Sequence, residues 1–88
     1  MIWRTSPNPR NGRTEAISAH TYTLPGLDTL NRTGNWVIVA EDDGTHTARL
    51  RTFNGHDLVE LESTSFRGAK RRATALTVRC HGFAWVSP

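Results

Sequence analysis

The sequence contains a single cysteine, Cys80, so no disulfide can form within the chain. Its histidines, His20, His46, His56 and His81, show no His-x-x-x-His spacing, and Cys80 has no second cysteine near it, so no metal-ligand pattern is present. Glycine-rich phosphate loops of the Walker or dinucleotide type are absent. The longest apolar run, Trp36 to Ala40, falls far short of the ~20 residues that span a bilayer. No secretory n-region, apolar h-region and cleavage site open the chain. These absences argue against a metal, a cofactor or a membrane partner, and a reducing cytoplasm is the expected location. His56-Asp57 stands near several serines, but it follows directly on a turn and reads as a solvated strand opening rather than a base with its orienter. Asp42-Asp43 likewise reads as a turn rather than a catalytic carboxylate pair. No catalytic residue is assigned, and the expectation is a protein without enzymatic activity.

What is present is a chain of 88 residues, 36% hydrophobic and 22% charged, which fits one domain with a small core. Chains of this size often complete their core with a second copy. Ten arginines and one lysine stand against eight acids, a net charge of +3. That excess suits nucleic acid or an ordinary solvated surface.

Residues 1–34 carry Pro7, Pro9 and Pro25 and the turn signals Asn11-Gly12, Pro25-Gly26 and Gly34-Asn35, with no sustained periodicity. They read as an irregular N-terminal arm whose one strand candidate is Ala19 to Leu24. The domain proper is residues 35–88. Trp36 to Ala40 is aromatic and β-branched, and Asp43-Gly44 follows as a hairpin turn. His46 to Phe53 alternates and ends at Asn54-Gly55, a turn of the type with positive φ at both central residues. Asp57 to Glu62 makes a third strand, with Val59 and Leu61 on one face and Leu58, Glu60 and Glu62 on the other. Two short turns predict an antiparallel meander.

After Ser63, Thr64 and Ser65, each able to cap a helix, the period switches. Phe66, Ala69, Ala73, Leu76 and Cys80 recur at spacings of three and four and form one apolar stripe. Arg67, Lys70, Arg71 and Thr74 lie opposite it, and Gly82 supplies the C-terminal stop. Charge divides between these elements: residues 35–62 carry a net −4, and residues 63–88 carry +5 with no acid at all. The predicted architecture is α+β, a three-stranded antiparallel meander followed by one helix packed on the sheet, preceded by the irregular arm.

The ordered set Trp36-Val37-Ile38, Asp43-Gly44, Arg49 to Gly55 and Ser65-Phe66-Arg67-Gly68-Ala69 resembles the YegP-like family of small domains of unknown function. In that likeness Leu50 to Gly55 stands for the family's second-strand turn, Phe66 for its link aromatic, and Ala75-Leu76-Thr77-Val78 for its helix end. It covers about residues 35–82. Arg67-Gly68 departs from the family's usual lysine or serine, and residues 1–34 have no counterpart. The resemblance implies a β-β-β-α repeat that often occurs in tandem, so a homodimer would supply the second copy. It implies no reaction, cofactor or catalytic residue.

Two functions are expected to compete. The first is a self-associating protein-interaction module, a homodimer or a complex with another protein. Its interface would include Trp36 and Ile38, from a strand apolar on both faces, and the terminal aromatics Phe83 and Trp85. The alternative is a nucleic-acid-binding accessory protein that uses the basic helix from Arg67 to Arg79, with Arg67, Lys70, Arg71 and Arg72 on phosphates. Against the alternative, no stacking aromatic is interleaved with those cations, and cations in a first helical turn oppose the helix dipole.

Overall fold

The computed structural model describes residues 1–24, 30–79 and 84–86. The elements follow in the order β1 (Trp3–Pro7), β2 (Thr14–Ser18), β3 (Thr21–Thr23), a 3-10 turn (Leu30–Arg32), β4 (Thr33–Ala40), β5 (His46–Thr52), β6 (Asp57–Ser63), α1 (Phe66–Arg79) and β7 (Ala84–Val86). All seven strands belong to one antiparallel sheet. The expected three-stranded meander with an irregular arm is therefore overturned: six strands precede the helix, three of them inside the supposed arm. The reason lies in how those strands are held. Polar side chains of the β1–β2 loop and of Glu15, not alternating apolar residues, anchor β1 and β2, so a search for hydrophobic periodicity passes over those two, while β3 sends Tyr22 into the core.

β4 is the axis of the sheet. Along one edge it pairs continuously with β5, from Gly34↔Thr52 to Ala40↔His46. Its other edge is shared by two short strands lying end to end: β2 pairs at Ala16↔Ile38 and β3 at Tyr22↔Gly34. Ala19 and His20 form the bend between them, so the predicted strand Ala19 to Leu24 is shortened to Thr21–Thr23. β1 lies outside β2, β7 outside β3 and β6 outside β5. At Gly34 a Cβ would collide with the Arg51 carbonyl, so the close approach of β4 to β5 requires glycine there.

The core sits between this sheet and α1. Trp36, Ile38, Ala48 and Leu50 are at most 1% exposed, Ala16 and Tyr22 join them from the N-terminal strands, and Ala69 and Ala73 close the cluster from the helix. The two alanines let the helix backbone approach the sheet. Phe66 and Leu76 pack against the cluster, so four of the five stripe residues sit as the spacing requires; Cys80 lies outside the described residues. The Trp36 indole Nε1 donates to Thr77 Oγ1 at 3.0 Å, which satisfies the one polar atom of the largest buried side chain. Ser65 is the helix N-cap, its Oγ accepting from the Gly68 amide at 2.9 Å.

Two local readings are also corrected. The loop at Asn54-Gly55 has three residues rather than two: the Thr52 amide donates to the His56 carbonyl and the Gly55 amide to the Thr52 carbonyl. Only Gly55, at φ 86°, has positive φ there, which is the glycine-ended hairpin loop rather than the two-residue form. In β6 the alternation breaks at Val59, whose φ of 59° is rare for a β-branched residue. Glu60 pairs with Arg49 and Leu58 with Leu50, leaving Val59 as the extra residue of a bulge. The bulge places Leu58 and Leu61, three apart, beside Leu50 and Ala48 on the helix side.

Candidate functional site

The outer surface of α1 is the first candidate. Arg67, Arg71 and Arg72 are exposed, and Lys70 is half-buried with its Nζ 4.5 Å from the centre of the Phe66 ring. Phe66 in turn meets His46 edge to face, with ring centres 5.7 Å apart. Arg72 donates to the Glu62 carbonyl on β6. None of these four cations forms an ion pair with a described residue. A Cβ at Gly68 would run into Ser63 Oγ, so the Arg67-Gly68 step is set by the packing of the cap.

The opposite, uncovered face of the sheet is built differently. Its cross-strand neighbours are Asn35 with Arg51 and Asp57, and Val37 with Arg49 and Glu60. Arg49 reaches Glu41 at 2.9 Å, Glu60 at 3.3 Å and Asp57 at 3.8 Å, while Arg51 holds both oxygens of Asp57 at 2.8 and 3.2 Å. The Arg51 hydrogen bonds, and then the Arg51 and Arg49 charges, hold the Asp57 carboxyl below the usual aspartate range. An open depression of about 380 Å³ lies at one end of this face, lined by Glu41, Asp42, Asp43, Glu60, Glu62 and Arg49 among others. The Thr45 hydroxyl and amide donate to Asp43 and lower its carboxyl as well. Among the described residues no group of three or more histidine, cysteine or acidic side chains can hold a metal ion.

The N-terminal hairpin is joined to this end by a polar latch that the sequence reading missed. Asn8 and Asn11 accept from the Arg10 and Arg13 amides and form the loop, in which Gly12 has φ 72°. The loop then extends side chains to β4 and β5. Glu15 accepts from the Ala40 amide at 2.7 Å and from Asn8 at 3.0 Å. Arg13 donates to the carbonyls of Glu41, Gly44 at 2.7 Å and Thr45 at 3.4 Å, and to His46 Nδ1 at 3.3 Å. Arginine can only donate, so Nδ1 accepts and Nε2 carries the proton toward the Thr14 carbonyl, 3.2 Å away. The one signal of this latch in the sequence was the Asn11-Gly12 turn.

Of the expected interface residues, Trp36 and Ile38 are 0% and 1% exposed beneath α1 and serve the core of a single chain. The second face of β4 is also less bare than its sequence suggests: Val37 is 6% exposed between its neighbours Ile17 and Arg49, and the exposed apolar residue there is Ile17. Phe83 and the side chain of Trp85 lie outside the described residues; the Trp85 backbone pairs with Tyr22. Arg67, Lys70, Arg71 and Arg72 are brought together on one helix surface. Asp57, the neighbour of His56, accepts from Arg51 at both carboxylate oxygens. Among the described residues no helix is long and apolar enough to cross a membrane. Compared with models of known families, with curated proteins and with solved structures, the chain matches none.

Proposed function

We propose that the protein is a non-enzymatic interaction module that acts in a reducing compartment and associates with itself. The observation that carries this reading is the separation of charge by the fold. α1 presents Arg67, Lys70, Arg71 and Arg72 on one side of the molecule without ion-pair partners among the described residues, and the acids Glu41, Asp57, Glu60 and Glu62 line the other side and the β6 edge. The basic helix of one copy is complementary to the acidic strands of another, an arrangement that sets register and rejects partners of the wrong charge. A homodimer also agrees with the single YegP-like repeat that the sequence resembles. Light scattering at tens of micromolar protein tests this: a dimer is expected in about 50 mM salt, weakening as added salt screens the contact. A monomer at every salt concentration would refute it.

One observation favours the second reading, that α1 binds nucleic acid. The carboxylates that would repel a phosphate backbone lie across the sheet from the helix rather than beside its cations. Binding of this kind is strongest at low salt, with a log-log slope of about −0.9 per phosphate neutralised on duplex DNA. Undetectable binding to DNA and RNA in about 50 mM salt removes this reading.

A further inference from the structure

We propose that the groove between the free edge of β6 and α1 receives an extended peptide segment of a partner protein, added to the sheet as a further strand. The inference rests on the interaction-module reading and names its site and the chemistry of its occupant. Among the described residues β6 pairs with β5 along one edge only, and no strand lies along its other edge. Beside that edge lies a groove of about 270 Å³ lined by Leu61, Arg71, Arg72, Ala75 and Leu76. It is smaller than the roughly 300–1,000 Å³ of a small-molecule site and accommodates a large apolar side chain. The groove runs between an edge strand and a helix, where a strand added by main-chain hydrogen bonds sends alternate side chains toward the helix.

The residues around the groove specify what those side chains must be. On the helix side, Leu61 and Leu76 offer apolar contact, and Arg71 and Arg72, without ion pairs to any described residue, call for an acid. On the opposite face, Glu60 and Glu62 border the same edge and call for lysine or arginine. The matching segment alternates leucine or glutamate with lysine. β5, the strand that already pairs with β6, follows a related rule: Ala48 and Leu50 stand on the helix side, Arg49 and Arg51 on the other. Arg72 now donates to the Glu62 carbonyl, the position an incoming strand's N–H would occupy. With the bulge at Val59, it also guards the edge against indiscriminate pairing.

The probe is an end-capped peptide, Thr-Lys-Leu-Lys-Glu-Lys-Leu-Thr, titrated into the labelled full chain and followed by amide chemical shifts, with light scattering on the same samples. The expected result is shift changes confined to β6 and the facing turns of α1. Methylating one alternate set of peptide amides should weaken binding by about tenfold, while methylating the other set should leave it within about twofold. Ala75→Phe fills the groove from an exposed position and should abolish binding without loss of fold. Shifts elsewhere, equal binding by a scrambled peptide that breaks the alternation, or equal tolerance of both methylated sets would each overturn the proposal. If a second copy occupies the groove, β6 and α1 shift on dilution without peptide; the peptide proposal then falls and self-association stands. A chain that is monomeric throughout and binds no peptide refutes both.

Discussion

The two faces of the molecule carry arginines in opposite circumstances. On the uncovered sheet face, Arg49 and Arg51 are bound by Glu41, Asp57 and Glu60, so every cation of the cross-strand ladder is paired and the face stays acidic. On α1, Arg67, Lys70, Arg71 and Arg72 have no acidic partner among the described residues. Charges that are paired across strands serve the fold, whereas charges gathered on one helix without partners are available to another molecule. The same residue type therefore has structural work on one side and binding capacity on the other, and composition alone cannot separate the two.

Substitutions can separate these roles, and the largest effect belongs to the layer both faces share. Trp36→Ala should cost about 3–5 kcal/mol in a denaturant titration, since it opens a cavity and leaves Thr77 Oγ1 without its indole donor. Leu76→Ala, at a half-buried position, should fall at the lower end of the roughly 2–5 kcal/mol range for such truncations. Arg13→Ala should cost about 1–3 kcal/mol, because several carbonyls lose a charged donor, and hydrogen exchange should rise in the 41–45 turn. Gly55→Val places a β-branched residue at φ 86° and should cost about 1–2 kcal/mol, read in the same titration.

Smaller effects are expected among the charges themselves. Asp57→Asn should cost less than about 1 kcal/mol at neutral pH, because the pair with Arg51 is partly solvated. The folded carboxyl of Asp57 titrates below its unfolded value, so its contribution is present above about pH 3.9 and is lost as the pH falls through the folded value. The asparagine variant should therefore show a weaker loss of stability on acidification than the parent. Lys70→Ala should stay within roughly 0.5 kcal/mol, since its ammonium rests over Phe66 with no carboxylate partner.

The parts of the fold that were legible are those where burial dictates sequence. β5 alternates because one side packs on α1, β4 is continuously apolar from Trp36 to Ala40 because it lies at the centre of the sheet, and the helix stripe repeats because Ala69 and Ala73 must face Trp36 and Leu50. β1 and β2 were not legible because β1 is largely exposed and β2 buries only Ala16 and Ser18; their register is fixed by Asn11, Arg13 and Glu15 acting across some 25 to 33 residues of sequence, whereas β3 lies inside the expected strand Ala19 to Leu24 and sends Tyr22 into the core. The bulge at Val59 left no signal either, since it is seen only as two leucines, Leu58 and Leu61, reaching one face at an odd spacing. The charge division was readable from the chain; that the fold sets the two signs on opposite faces was not.

The contrast between the faces is tested by the salt dependence of self-association, measured by sedimentation equilibrium on three proteins. These are the parent, the triple variant Arg67→Gln, Lys70→Gln and Arg71→Gln, and the double variant Arg49→Gln and Arg51→Gln. If α1 is the binding face, the parent associates at about 50 mM salt and dissociates as salt rises. The triple variant is then folded but monomeric, and the double variant, which frees Glu41, Asp57 and Glu60 to meet the helix of another copy, associates at least as tightly as the parent at about 50 mM salt. Association that survives the triple change with the parent's salt slope would contradict the assignment of α1 as the binding face.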